Sequence, residues 1–312
     1  MSTYDYEIGY GKHRIPVYRM HARPLEGLRA IPESPFVGRS NIVFAVEVDV
    51  EVLGSRFLPA YTHGDNRLVV ATDSMKNFVL RETLAYDGAT HEGLLTFLGD
   101  GFLRRYEQME ALRLTCRELP FIAAPAPGAD AGSFSPSEVL FDRGHDDYTI
   151  ATLEMTRDGI EPVVAGHRCG RLGLQLMKTT GSAFTSFVRD GYTTLPERRD
   201  RPLFIYLDLF WRYGDLSDML GDDPSRYVPA EQVRDLARTV FHEFVSESIQ
   251  HLVHEIGQRA LDRFPQLAEI SFDAENRTRD PFSESETDPR VKVYSDPFPA
   301  YGGITLTMRR SR

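Results

Sequence analysis

Two cysteines in 312 residues leave no disulfide framework, and Cys116 and Cys169 fit no metal or redox spacing. So few thiols in so long a chain suit a reducing compartment, and a cytoplasmic setting is expected. No window reaches the apolar length of a membrane span. The opening MSTYDYEIGYGKHR lacks the apolar stretch of a signal peptide, and the closing MRRSR matches no address tag. Positive charge is in deficit as well. With a net charge of −10, a nucleic-acid backbone is not an expected partner. Glycine motifs for phosphates are missing: GYGKHR lacks the spacing and the Ser/Thr of a Walker loop, and no GxGxxG follows a strand. Without GxSxG there is no nucleophile elbow. His242, His251 and His254 have neither HExxH nor a Cys/His cluster around them, so no metal is expected.

What is present is a globular mix, 41% hydrophobic and 26% charged, enough for one large or two medium domains. From Val46, the stretch IVFAVEVDVEVL (42–53) alternates valines with acids, the period of a strand with one buried and one wet face. Residues 90–106 place Leu94, Leu95, Phe97, Leu98, Phe102 and Leu103 at helical spacing. LRLTCRELPF returns to strand character. AAPAPGADAGSFSPSE (123–138) has the composition of a connection. Strands then recur, RPLFIYLDLFWRY (201–213) among them. A helix is expected over 229–264, and EISFD and GGITLTMRR read as closing strands. Residues 285–303 read as a polar loop. Two halves with the same order of elements make an α+β protein of duplicated architecture, drawn here as 1–145 and 146–312.

Chemistry is concentrated in a few places. LVVATDSMKNFVL (68–80) reads as a strand, Leu68–Val70, running into a helix with Asp73 or Ser74 as its cap. GSAFTSFVRDGYTTLPERRDRPLF (181–204) carries more polar groups than its strand-like aromatic context requires. The bland account is a loop with surface ion pairs. The other is an Arg fork beside an aromatic that stacks a flat ligand. Gln250 adjoins the apolar stripe of Ile249, Leu252, Val253 and Ile256, where a polar group needs a partner.

VATDSMKN (70–77), YGK (10–12) and GSAFTSFVRDGYTTLPERRDR (181–201) resemble the signatures of the urate oxidase (uricase) family. IPESPFVGR and SIQHL are similar to its bacterial branch. The resemblance runs from about residue 8 to the end of the chain. It implies two tandem tunnelling-fold (T-fold) domains, each an antiparallel sheet with helices packed on one face. It also implies a homotetramer with active sites at subunit interfaces, acting on urate and O2 to give 5-hydroxyisourate and hydrogen peroxide without metal or organic cofactor. By the same resemblance Lys12 is the catalytic lysine and Thr72 its partner. Asp73 contacts substrate, Phe184 stacks on the purine plane and Arg201 forks one edge. Gln250 pairs with the opposite edge, Ile249 adds a backbone contact, and Asn276 lies near the oxygen and water position. Where the family has a relay histidine after this Asn, the chain reads Asn276-Arg277-Thr278. A guanidinium stays charged at neutral pH and cannot shuttle protons. Two other readings arise from that change and from the shared fold: a purine-binding tetramer with impaired catalysis, and a pterin-handling T-fold enzyme.

Overall fold

In the computed structural model, residues 4–128, 130, 132–144, 146–277, 279, 281–295 and 300–311 are described. The chain divides into two units, the first comprising residues 1–29, 37–169 and 216–227, the second 30–36, 170–215 and 228–312.

Unit 1 is built on β1 (Gly9–Met20), β2 (Val43–Leu53), β3 (Ala111–Glu118) and β6 (Tyr148–Asp158), each antiparallel to the next. The first part of β7 (Glu161–Lys178) follows β6. On β2 the valines at 46, 48, 50 and 52 are fully buried. Burial on that scale stabilises each by roughly 1.5–3 kcal/mol. The alternate face carries Glu51, bonded by Arg113 at 3.0 Å, and Asp49, bonded by Arg117 at 2.8 Å. Short α1 (Leu58–His63), then α2 (Thr72–Glu82) and α3 (His91–Arg105), join β2 to β3. Leu94, Leu95, Leu98, Phe102 and Leu103 form the buried stripe of α3. α4 (Ser217–Leu220) and a 3-10 turn at Pro224–Arg226 also belong to this unit.

Unit 2 repeats the plan. The rest of β7 leads to β8 (Leu203–Tyr213), then α5 (Ala230–Glu243) and α6 (Ile249–Arg263), β9 (Leu267–Asn276) and β12 (Gly302–Arg309). β9 pairs antiparallel with both β8 and β12. Each unit carries a two-stranded arm after its third strand: β4 (Phe121–Pro127) with β5 (Phe134–Arg143), and β10 (Pro281–Glu284) with β11 (Lys292–Tyr294).

The repetition extends to backbone detail. Near the start of each unit stands a residue with positive φ, Arg14 (φ 55) or Gly173 (φ 78), and at Arg14 the β1–β2 register shifts in a bulge. The residue's N–H donates to an Asp on the neighbouring strand, Asp49 at 2.6 Å or Asp208 at 2.7 Å. Thr90 caps α3 through the Gly93 N–H, and Ser248 caps α6 through the His251 N–H, both at 3.1 Å. Arg157 donates to the carbonyls of Leu103 in the last turn of α3 and of Tyr106 and Met109 just beyond it. Arg310 does the same at Leu261 in the last turn of α6 and at Phe264 and Leu267 beyond it. The orphan carbonyls at both helix ends are thereby satisfied by a fork from the sheet.

Four expectations need correction. Residues 68–70 form a turn and coil, because the Val70 N–H donates to the Tyr10 hydroxyl and no strand ladder forms. The helix expected over 229–264 breaks between Glu243 and Ile249, where Ser246 turns aside to bridge Ser182 and Ser248 caps a new start. The supposed connection 123–138 holds most of the β4–β5 arm. The polar loop 285–303 contains β11 and the start of β12. No helix among the described residues is long and apolar enough to cross a membrane.

Candidate active site

The predicted residues fall into two groups, one in each unit. In unit 1, Lys12 stands on β1 just before the bulge, opposite Val50. A Cβ on Gly11 would strike the Val50 carbonyl, which explains the glycine of YGK. The hydroxyl of Tyr10 accepts the Val70 N–H at 3.0 Å, pinning the start of α2 beside β1. Lys12 and Thr72 each lie two residues beyond that pin. Asp73 is held below the ordinary carboxylate range, first by its bond from Lys76, then by Asn77 and the nearby charge of Lys12. Its oxygens accept from Lys76 Nζ at 2.6 Å and from Asn77 Nδ2 at 2.9 Å. The cap prediction fails: Ala71 takes the N-cap position with no side-chain bond, and Asp73 sits inside the first turn. There its charge favours the helix dipole. Among the described residues no hydrogen bond links Lys12 to Thr72.

In unit 2, Phe184, Arg201, Ile249 and Gln250 are drawn together by main-chain bonds. Residues 181–204 form no regular strand; Phe184 makes an isolated bridge with Arg198, its N–H donating at 2.8 Å and its carbonyl accepting at 3.0 Å. The Arg201 N–H donates to the Ser182 carbonyl at 2.9 Å, and the Ala183 N–H to the Ser246 carbonyl at 2.8 Å. That last bond brings the segment against the residues that open α6. The Arg201 guanidinium lies 5.6 Å from the Phe184 ring centroid. Phe187 stacks on Phe184 at 4.9 Å with an interplanar angle of 11°. Asp200 accepts from the Thr180 hydroxyl and the Gly181 N–H, both at 2.7 Å. Those bonds, Thr180 first, hold its carboxyl below the usual range. Ile249 is buried at the first position of α6, whereas Gln250 is exposed and lies off the apolar stripe. No described protein group hydrogen-bonds its amide.

Asn276 ends β9, paired with Ile205 four residues beyond Arg201. Arg277 goes elsewhere. Its guanidinium is bound to Glu275 and lies 4.0 Å from the Tyr301 ring centroid and 4.8 Å from that of Tyr206. Ala274 and Phe272 are buried on one face of β9. By strand alternation Asn276 continues that face while Glu275 and Arg277 take the other. Thr278 lies outside the described residues. No group of three or more His, Cys, Asp or Glu among the described residues could hold a metal.

Two cavities in unit 1 measure about 320 Å³ beside Arg56, Phe57 and Leu68 and about 370 Å³ beside Arg14, Arg117 and Arg143. None of the predicted site residues lines either. Ser182, Ser246 and Asp200, which assemble the second group, carry no distinctive spacing that sequence reasoning could use.

A family model described as Uricase matches residues 167–304. The chain is 50% identical over 271 residues to a uricase of Haloferax volcanii, covering 87% of this chain and 88% of that one. It is 47% identical over 304 residues to a uricase of Halalkalicoccus jeotgali, covering 97% and 98%. The fold matches the crystal structure of Bacillus sp. TB-90 urate oxidase with a TM-score of 0.93 at 43% identity, covering 97% of this chain and all of that one.

Proposed function

The chain belongs to the uricase family and oxidises urate with O2, and we propose that it does so at a shared site, one group from each of two chains, with no metal or organic cofactor. Each chain contributes two tandem T-fold domains. The observation that carries the reading of the binding half is the gathering of Phe184, Arg201 and the first turn of α6 by the bonds at Ser182 and Ser246. Urate is flat, anionic and edged with alternating N–H and C=O groups. Phe184 stacks on its plane, Arg201 gives two parallel N–H donors to one edge, and the Gln250 amide offers a donor and an acceptor to the other. The exposure of the Gln250 amide suits a group that awaits a ligand. Ile249 contributes its backbone, and Asn276 faces the water and O2.

Lys12 and Thr72 of a neighbouring chain supply proton transfer, and Asp73 adds a substrate contact. The Lys12–Thr72 bond forms as the site closes around urate, and the pair then moves a proton from urate to water. The resulting dianion is rich enough to give two electrons to O2. Water adds its hydroxyl to the oxidised ring, and O2 leaves with two protons as peroxide. A homotetramer and a cytoplasmic setting complete this reading. Arg277, tied to Glu275 on the opposite face of β9, takes no part in the relay.

The test is direct. Protein added to urate should remove its near-ultraviolet absorbance with release of one peroxide per urate, before and after exhaustive dialysis against a chelator. Binding without loss of absorbance would leave only a purine-binding protein, and loss of activity on chelation would refute the cofactor-free reading.

A further inference from the structure

The matched backbone of the two units supplies a counterpart for each part of the urate-binding group. The bridge Phe184–Arg198 corresponds to Leu25–Arg39 in unit 1, with N–H donors at 2.9 and 3.0 Å. Ser186 (φ 59), two residues past Phe184, corresponds to Gly27 (φ 75), two residues past Leu25. These pairs share one chain separation. Ile249 and Gln250, the first two residues of α6 after its Ser248 cap, correspond to His91 and Glu92 after the Thr90 cap.

The counterpart in unit 1 is covered. Glu92 is 1% exposed, although Gln250 at the matching position is open to solvent. Over it lies Tyr227, itself 8% exposed, whose hydroxyl donates to Glu92 Oε2 at 2.9 Å, and the Cys169 thiol also bonds the carboxyl. The segment that carries Tyr227, 216–227, belongs to the same unit. It is braced by two bonds from Arg226 to Asp218, at 2.7 and 2.9 Å. Pro224 rests on Gly27: a Cβ built there would stand 2.8 Å from its Cγ. The segment thus spans both the loop that matches the stacking side and the carboxylate that matches the edge-reading amide.

We propose that unit 1 contains a second cradle for a small flat heterocycle, built like the urate cradle and resting on that reading, and that Tyr227 of the same chain permanently occupies it. The exchange of amide for carboxylate sets the ligand class. A Gln offers one donor and one acceptor, suiting an edge that alternates the two. A carboxylate offers two acceptors, suiting an edge with two adjacent N–H donors, such as a 2-amino-4-oxopyrimidine. The phenol ring fills the space of one six-membered ring.

Removing that ring should convert the cradle into a binding site. Tyr227→Gly is titrated by calorimetry with isocytosine, a single ring with the two-donor edge, and with uracil, which lacks it. Expected are one isocytosine bound per chain, uracil weaker by at least about tenfold, and a rise in Tm of about 3 °C or more near saturation. The native protein should bind no isocytosine in this cradle, and Glu92→Gln in the Tyr227→Gly background should weaken it about tenfold or more. Equal binding with Gln at 92, preference for uracil, or no binding would overturn the second cradle. If Tyr227→Gly folds only with isocytosine in the buffer, the cradle stands; if neither isocytosine nor phenol recovers it, the cradle falls. Phe184→Ala separates the two readings. An unchanged KM for urate would show the urate cradle to be misassigned and remove both. A raised KM, with no ring taken up by Tyr227→Gly, removes only the second.

Discussion

Lys12 and Arg201 make opposite demands on kinetics. A proton-transfer group acts in the transition state, so Lys12→Met should lower kcat by about 10²-fold or more while KM for urate moves little. In the proposed site Arg201 holds a charged edge in ground and transition state alike. Arg201→Ala should raise KM by about 10- to 100-fold, as expected for a lost charged hydrogen bond of ~1.5–3 kcal/mol. Stopped-flow and steady-state turnover of urate distinguish the two, and a Lys12→Met variant with native kcat would remove the lysine from the mechanism. Arg277 should behave as neither. Arg277→Ala loses two aromatic contacts and an ion pair, together about 1–2 kcal/mol of stability, with the pH profile of kcat unchanged. A displaced profile would return Arg277 to the relay. Asp200 gives a sign that can be worked out. Its folded pKa lies below the unfolded value near ~3.9, through its bonds from Thr180 and Gly181. The stability it contributes is present above that value and is lost as pH falls through its folded pKa. In urea unfolding the gap between the native chain and Asp200→Asn should therefore narrow below about pH 5, the unfolded value plus the width of a titration. Single site residues were named from the sequence chiefly through resemblance. Spacing alone placed Gln250 on an apolar stripe, yet it is exposed, because one residue turns the helix by about 100° and carries it away from the face of buried Ile249.

Among elements, the arginine forks at the ends of α3 and α6 carry the clearest consequence. Each satisfies three carbonyls, and their loss by Arg157→Ala or Arg310→Ala should each cost about 1–3 kcal/mol, read by urea unfolding. The two differ in function. α6 begins with Ile249 and Gln250, so Arg310→Ala should also raise KM for urate; Arg157→Ala, which loosens α3, should leave KM near native. Equal effects on KM would break the link between α6 and binding. Long periodic elements were readable from sequence: β2 from its valine and acid alternation, α3 and α6 from their apolar stripes. The β4–β5 arm was not, since Ala, Pro and Ser bury little there and only pairing defines it. The break before α6 was hidden too, because Phe244 and Val245 continue a helical apolar pattern while the main chain leaves it for Ser182.

At the scale of the whole molecule the proposed sharing of the site makes a prediction that no single variant can. Lys12→Met and Arg201→Ala are each impaired alone, but co-refolded they should assort at random. Roughly a quarter of shared sites would then combine two intact halves. Recovery of activity toward that fraction supports a site split between chains, and no recovery would confine it to one. Duplication was suggested by element order alone, since the halves share little sequence. What repeats is geometry: a positive-φ residue held by an Asp, a capped helix start, a fork at a helix end. Such features constrain φ and hydrogen bonds more than side-chain identity, and so leave faint traces in composition.

The two units have also traded strips of chain. Residues 30–36 belong to unit 2, where Ser34 bonds Asp235 at 2.6 Å and Glu33 bonds Arg263 at 2.7 Å. Residues 216–227 belong to unit 1, with Tyr227 on Glu92. A repeat whose copies lie side by side can lose one and survive. Once each copy's interior is finished by the other's chain, a deletion that spares one half still strips it of a buried partner. The doubling is in that sense a one-way step: later change can specialise the halves, as amide and carboxylate have diverged at 250 and 92, but has no viable half to fall back on.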